Sequence, residues 1–490
     1  RSGEASGFKL TEVWDLDGVS PLFNVPSCVL MAAASHPEGD DARRARSLPR
    51  NGIVGQVFSG RLPRPHLHWN DAQQFLAEKT TRWYFQELGN AQSRKKRSAL
   101  VQQKIQGGSG GNAYAARFKQ GATIVPRAFY FVEPQGITIT AQTDARERIV
   151  NLRTHPLALE GAKKPWDGIS LTGQMQGKYL FRTALARNVL PFALINPPLV
   201  ALPLIKEDLS KVNDGAMSGK AKWRLLDAAE LTASGDIEAA KWFGQCEKLW
   251  AERRSDSAKK QKSSMTDWLD WQRKLTQQPV DARWAVAYTA SATDASACVL
   301  DVSLLAQRFM VDYTLYVCFT ETEDEARFVE SFLNSEFANS RIKEFQARGL
   351  FGPRHVSKKI LDIPWPEYSP NQPSHRRLVE LGYRAAKAVQ GILGAQQELE
   401  LDPRTLGRLR SSIRRELQPL MEQIDALVES ISTGQDLVAQ AAYLEDLLTR
   451  PRPVVAGLSS QEISEFLRSE REGWEHRDIV ISGPNGGPKE

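Results

Sequence analysis

The spacing of apolar positions divides the chain into strand-like and helix-like stretches. Residues 10 to 35, LTEVWDLDGVSPLFNVPSCVLMAAAS, read as an apolar strand, a Gly/Pro turn and a second strand rich in Val, Leu and Cys. The polar, turn-rich segment 36 to 52 leads to IVGQVFSGRLP, another strand, so a hairpin with a long connection is expected. The stretch 70 to 88, NDAQQFLAEKTTRWYFQEL, opens on Asn70 and Asp71, residues suited to capping, and is expected to be helical. A Gly-rich loop follows, QGGSGGNAYAARFKQG at 106 to 121. It contains neither G-x-G-x-x-G nor G-K-[ST], so it reads as a flexible loop rather than a phosphate cradle.

From 122 to 205 short β-type runs (ATIVPRAFYFVE, GITITAQ, GISLTG, LVALPLI) alternate, with a helical piece expected near KYLFRTALARN. Between 215 and 278 the pattern turns helical. It sets Trp242, Phe243, Leu249 and Trp250, then Trp268, Leu269 and Trp271, near helical spacing, as a core stripe would be. Strands return at RWAVAYTAS, ACVLDVS and FMVDYTLYVCFT, before a helix or helix pair in EDEARFVESFLNSEFANSRIKEFQ. Long periodic patterns at 374 to 401 and 406 to 433 fit a helical spacer, an antiparallel pair or a dimer seam. The end, SGPNGGPKE, is expected to be disordered.

Composition narrows these choices. A chain of 490 residues with 41% hydrophobic and 25% charged residues is an ordinary folded chain of several domains. Its longest apolar runs, including 190 to 205, are broken by prolines short of the roughly 18 to 20 residues a spanning helix requires. No membrane partner is expected. The sequence starts at Arg1 with no apolar signal core, so a cytoplasmic fragment of a longer polypeptide is expected. Cys28, Cys246, Cys298 and Cys318 form no C-x-x-C pair and read as reduced thiols. His66-x-His68 lacks further ligands at metal-binding spacing and reads as a surface pair.

The net charge of +6 and a pI near 9.0 suit a nucleic-acid partner without requiring one. Basic residues cluster in SRKKR (93 to 97), KAKWR (220 to 224), ERRSDSAKKQK (252 to 262) and RGLFGPRHVSKK (348 to 359).

The stretch FVESFLNSEFANSRIKEFQARGLFGPRHVSKKILDIPWPEY (328 to 368) joins a helix bearing Leu333-Asn334-Ser335, the turn Gly352-Pro353-Arg354-His355, and Ile363-Pro364-Trp365-Pro366. This order resembles a segment of large adenine-N6 DNA methyltransferases of the type IIG restriction-modification and phage-defence kind. HRRLVELG (375 to 382) is similar to the helix that follows it there. GATIVPRAFYFVE (121 to 133) is similar to the family's strand entering target recognition, and VWDLDGVSPLFNVPSCVLM (13 to 31) to late strands of its methyltransferase domain. The likeness extends discontinuously over about residues 10 to 430.

What the resemblance implies is an α+β chain: the tail of a methyltransferase sheet (1–69), a target-recognition domain in two strand-rich halves (70–214 and 283–373) around a helical insert (215–282), a helical C-terminal module (374–481) and a disordered tail (482–490). A complete enzyme would bind S-adenosylmethionine in a Gly-rich turn after a strand; no such stretch precedes residue 10. It would also hold a flipped adenine in a [DNS]-P-P-[YFW] loop, whose polar group accepts from the amine and whose aromatic stacks on the base. Asn196-Pro197-Pro198-Leu199 nearly matches, but Leu199 offers no aromatic face and the position follows the late strands by more than 150 residues. It reads as a decoy whose proline pair ends an apolar segment before an edge strand.

The chain is therefore expected to hold no cofactor, to be inactive alone, and to recognise double-stranded DNA for the missing methyltransferase domain or subunit. The candidate DNA-binding residues are Arg348, Arg354, His355, Lys358 and Lys359 in a Gly/Pro-bounded basic turn, then Lys119 and Arg127. The alternatives are a structural or interaction module that docks a restriction or defence protein, and half of a split methyltransferase.

Overall fold

A computed structural model describes residues 7–22, 27–35, 51–88, 97–102, 111–140, 142–160, 162–207, 221–349, 352–394 and 403–434. The expected disordered tail and residues 106–110 of the Gly-rich stretch lie outside them, while 111–121 are described and end in a strand. Within these residues the chain is an α+β protein.

The first sheet contains β1 (Gly7–Ser20), β2 (Cys28–Ser35), β3 (Ile53–Arg61), β4 (Leu76–Leu88) and β5 (Arg97–Val101), in the order β2-β1-β3-β4-β5. The expected hairpin between the second and third strands does not form. β1 lies between them, antiparallel to β2 and parallel to β3, with Val13 opposite both Leu30 and Gly55. A parallel neighbour needs a long crossover, and the sequence between β1 and β3, which includes β2, is long enough for one. Gly55 is required here, because a Cβ would stand 2.1 Å from the Val13 carbonyl oxygen.

The helix expected over 70 to 88 is confined to Trp69–Ala72 and a 3₁₀ turn, Gln73–Phe75. From Leu76 the chain is strand, paired with β3 from Ile53–Trp83 to Gly60–Leu76. Thr80, Thr81, Trp83, Tyr84 and Phe85 are β-branched or aromatic, and their fit to a half-buried pleated surface outweighs the capping residues at the start.

The central region builds two larger sheets and two two-stranded pairs. Its strands are β6 (Lys119–Gln120), β7 (Phe131–Pro134), β8 (Ile149–Thr154), β9 (Thr172–Gln176), β10 (Leu180–Ala184), the pair β11 (Val189–Leu190) and β12 (Ala193–Leu194), β13 (Leu199–Ala201), the hairpin β14 (Leu204–Glu207) and β15 (Lys222–Leu225), β16 (Trp284–Thr289), β17 (Ala297–Asp301), β18 (Arg308–Val311) and β19 (Leu315–Thr320). One sheet runs β18-β10-β13-β7-β8-β9 and the other β17-β16-β19-β6. Late β18 joins the earlier sheet parallel to β10, while early β6 joins the later sheet beside β19. The single strand expected at 309 to 320 is thus two strands, one in each sheet, turning at Asp312–Thr314.

The helical piece expected near 178 to 188 is β10 between two 3₁₀ turns. All five of its residues are buried, so the run lacks the alternation that marks a half-exposed strand. The helix α1 (Ile237–Arg253) covers this sheet, with Trp242, Phe243 and Trp250 buried and the Trp242 indole donating to the Phe129 carbonyl at 3.0 Å. That is the core stripe expected from the spacing, while Trp271 at its far end is exposed.

The later sheet is backed by α2 (Glu323–Asn334) and α3 (Glu336–Lys343), which start at capping residues Thr322 and Ser335. A short hairpin, β20 (Ala347–Gly349) and β21 (Gly352–Arg354), comes next. Then α4 (Pro373–Gly394) packs on α2, followed by α5 (Pro403–Glu416) and α6 (Gln418–Thr433). The expected continuous helix at 406 to 433 is divided at Leu417, where Pro419 starts a new helix. No helix among the described residues is long and apolar enough to cross a membrane.

β17 is an edge strand, and α2 and α3 close that edge with side chains. Glu330 accepts from the Val299 N–H at 2.8 Å, Asn334 both accepts from and donates to Ala297 at 2.9 and 3.0 Å, and Asn339 accepts from the Ala295 N–H at 2.7 Å. Alternate backbone groups of the strand thereby find partners that another strand would otherwise supply.

Candidate nucleic-acid interface

The basic turn after β21 is fixed to the later sheet at three points. Val356 is fully buried, the Ser357 N–H donates to the Ala290 carbonyl at 2.9 Å, and the Tyr288 hydroxyl donates to the Ser357 carbonyl at 2.7 Å. His355 and Ser357 take φ values of 65° and 45°, a left-handed conformation uncommon for side-chain-bearing residues. It persists because these anchors determine the path, and it leaves His355 and Lys358 exposed. His355 Nδ1 lies 3.3 Å from the Ser291 hydroxyl, and Lys359 Nζ donates back to the His355 carbonyl.

Lys358 stands with its Nζ 5.8 Å from the Tyr316 ring centroid, and Tyr316 stacks on buried Tyr288 at 5.4 Å. β6 brings Lys119 to this place by pairing with β19 at Val317, and Lys274 arrives by donating to the Gln120 side chain at 3.1 Å. Partial desolvation lowers the Lys358 ammonium pKa, and Lys119 and Lys274 lower it further, against Asp362. Lys359 is lowered by desolvation and then by Arg97. Asp362 is ion-paired to Arg97, and burial pushes its carboxyl up despite the cations around it. Among the described residues, Lys119, Lys274 and Lys358 make no ion pair. A surface that gathers ammonium groups without matching carboxylates carries a positive potential suited to phosphate.

Of the candidate residues, Lys119 and Lys358 share this cluster, and His355 and Lys359 flank it. Arg348 and Arg354 occupy the β20–β21 hairpin, Arg348 opposite Pro353 and Arg354 opposite Ala347. Arg127 lies elsewhere: it is half-buried over the Phe131 ring at 5.5 Å and acts electrostatically on buried Asp312. Sequence reasoning did not single out Lys274, and it noted Arg97 only as the end of a basic run. Neither is near Lys358 along the chain, and only the strand exchange through β6 brings Lys274 close.

In the other basic clusters several of the described residues have local partners, while 93–96 and 220 lie outside the described residues. Lys222 and Arg224 pair with Glu207, and Arg224 also with Glu230. Arg253 and Arg254 donate to backbone carbonyls.

Asn196 is exposed with φ 43°, and Pro198 leads into β13. The following strand is not an edge strand, since β13 lies between β10 and β7. The prolines are tolerated because they precede the ladder and contribute acceptors, Pro197 to Arg182 and Pro198 to the Thr183 N–H. His66 and His68 are exposed in the turn before Trp69, and no group of three His, Cys, Asp or Glu among the described residues is placed to hold a metal ion.

No family model matches the chain, and no curated protein matches it. Two solved structures align with it over most of its length. The type IIL restriction-modification enzyme MmeI in complex with DNA aligns at a TM-score of 0.43 and 11% identity, over 90% of this chain and 45% of that one. The type IIG restriction endonuclease BpuSI aligns at a TM-score of 0.25 and 9% identity, over 88% of this chain and 44% of that one. The chain thus spans less than half the length of either enzyme.

Proposed function

We propose that the chain binds double-stranded DNA sequence-specifically, as the target-recognition part of an adenine-N6 DNA methyltransferase in restriction-modification or phage defence. The observation that carries this reading is the convergence of Lys119, Lys274 and Lys358, from three distant segments, on one surface without ion-pair partners among the described residues. Such a cluster suits phosphate anchoring, and the polar side chains beside it, His355 and Ser291 among them, are our candidates for reading base edges.

The cofactor and the chemistry belong to the complete enzyme. At the stretch resembling its amine-binding loop, Leu199 is buried in β13 opposite Val132 and has no aromatic face for a flipped base. These residues do not fit methyl transfer from S-adenosylmethionine, and no step is assigned to them.

The test is binding to a randomised pool of duplex DNA at near-physiological salt, with sequencing of the bound fraction. An enriched motif whose affinity falls with salt is the expected result. A uniform bound pool, or no binding, overturns the reading and favours a role in docking a protein partner.

A further inference from the structure

Directly before Lys274 of the lysine cluster the chain makes a strained turn, Trp271-Gln272-Arg273. Gln272 and Arg273 both have a φ of 58°, in the left-handed region that residues with side chains seldom enter, and two in succession need support from their surroundings. Asp270 supplies it. Its Oδ1 accepts from the N–H groups of Leu275 and Thr276 at 3.0 and 2.9 Å, and its Oδ2 from the Thr276 hydroxyl at 2.6 Å. Leu275 is fully buried, and buried Gln278 donates to the Lys274 carbonyl at 3.2 Å and to the Val311 carbonyl at 3.1 Å. On the other side a row of indoles leads out from the core. Trp250 is 5% exposed and lies 5.9 Å from Trp268, which lies 5.8 Å from Trp271, itself 45% exposed.

The foot of the turn is therefore fixed, while its outer side chains are not used by the fold. Gln272 and Arg273 are exposed, and among the described residues neither side chain makes a hydrogen bond or an ion pair. The carboxylates closest in sequence are engaged with backbone N–H groups, Asp267 with that of Ser264 and Asp270 with those of Leu275 and Thr276. Position is what gives these two side chains a meaning. The Cα of Arg273 is one step of about 3.8 Å from that of Lys274, whose ammonium donates to Gln120 and acts electrostatically on Lys358. The turn thus continues the surface on which the unpaired lysines converge.

Arginine and glutamine are the side chains that match purine edges in the major groove. A guanidinium donates twice, to O6 and N7 of guanine, and a carboxamide accepts from N6 and donates to N7 of adenine. Lysines that hold phosphates fix the register these pairs require but carry no sequence information themselves. A rigid foot beneath the two side chains reduces the ordering cost of making such contacts.

We propose, on the basis of the double-stranded DNA reading above, that this turn is a base-reading element, with Arg273 specifying a guanine and Gln272 an adenine in the major groove while the lysine cluster holds the neighbouring phosphates.

The experiment is binding of the full chain and of the variants Arg273→Ala, Arg273→Lys, Gln272→Ala and Lys358→Ala to a randomised duplex pool, with sequencing of the bound fractions. Circular dichroism checks that each variant is folded. The parent is expected to enrich a motif containing a guanine and an adenine. Arg273→Ala and Arg273→Lys should each lower the preference at the guanine on the order of tenfold, and Gln272→Ala that at the adenine, with the other positions retained. Arg273→Lys keeps the charge and hence the salt dependence, so its loss of preference reports the planar fork rather than electrostatics. Lys358→Ala should weaken all sequences alike and leave the motif unchanged.

A parent motif that the three turn variants reproduce position by position overturns the turn as a reader and leaves the DNA reading standing. So does a uniform loss of affinity in Arg273→Ala with the motif intact, which makes Arg273 a phosphate contact. A parent chain that enriches no motif refutes sequence-specific recognition and, with it, the role of this turn.

Discussion

Along α2 the charged and amide side chains that enter the interior are matched by partners, whereas around Lys358 three lysines face one another with one carboxylate, Asp362, within electrostatic reach. Glu330 is fully buried, yet it is paired with Arg327 at 2.8 Å and accepts from the Val299 N–H. Arg327 also pairs with Glu323 and lies over the Tyr383 ring. Among the described residues Lys119, Lys274 and Lys358 have no carboxylate partner; Lys274 donates to Gln120 and Lys358 stands by the Tyr316 ring instead. The difference separates two uses of polar residues within one resemblance. Asn334, in the Leu-Asn-Ser of the helix, closes a sheet edge, while Lys358, in the turn, is exposed and makes no ion pair among the described residues.

The comparison breaks first at Glu330. Replacing it with alanine leaves the Val299 N–H without its acceptor and Arg327 with Glu323 alone, so Glu330→Ala is expected to destabilise the chain by about 3–5 kcal/mol. Urea unfolding monitored by circular dichroism measures this. A loss under about 1 kcal/mol would show that this edge is held by packing rather than by side-chain hydrogen bonds.

How much of this the sequence disclosed depends on the range of the interaction. α2 and α3 were legible because Thr322 and Ser335 cap them and their apolar spacing is local. The core role of Trp242, Phe243 and Trp250 was legible for the same reason. β4 was misread because Asn70 and Asp71 signal a helix start, while the pairing of Trp83 opposite Ile53 is set by a strand more than twenty residues away. The order of the first sheet was hidden too, since nothing local tells β3 to pair with β1 in parallel. At the candidate interface the turn at 352 to 359 was visible through its glycine, proline and lysines. Lys274 was not, because its nearness to Lys358 is created by the Gln120 hydrogen bond and the register of β6 on β19.

Asp312 sharpens the comparison, being a buried charge that lacks the matching seen in α2. One of its carboxylate oxygens accepts from the Thr314 N–H and hydroxyl, and the other has no partner. Burial raises its pKa from 3.8 to about 6, against the pull of the Thr314 bonds and of Arg127. The folded chain therefore binds the extra proton between roughly pH 4 and 6, and stability from this group is fully present below the unfolded value and lost as pH rises through 6. By pH 8 the ionised form costs about 3 kcal/mol. Asp312→Asn keeps the acceptor for Thr314 and is expected to exceed the parent in stability by about that much at pH 8, with the advantage vanishing near pH 4. An advantage independent of pH would mean that Asp312 ionises at the same pH in the folded and unfolded chains, so that burial does not shift it.

The smallest effect on stability, and the one most telling for function, is expected at the lysines. Lys358→Ala removes a charge that Lys119 and Lys274 repel, so its effect on folding should stay within about 0.5 kcal/mol and need not be a loss. Duplex affinity should nevertheless fall a few-fold, and the slope of log affinity against log salt should shrink by about one per lysine removed. Lys222→Ala is the control, since Lys222 is also exposed and basic but pairs with Glu207 at 3.2 Å. If only net charge matters, the two variants weaken DNA binding equally and the distinction between matched and unmatched cations has no functional meaning. If position and pairing matter, Lys358→Ala flattens the salt dependence and Lys222→Ala leaves it unchanged, because a cation already neutralised by a carboxylate releases little when a phosphate approaches.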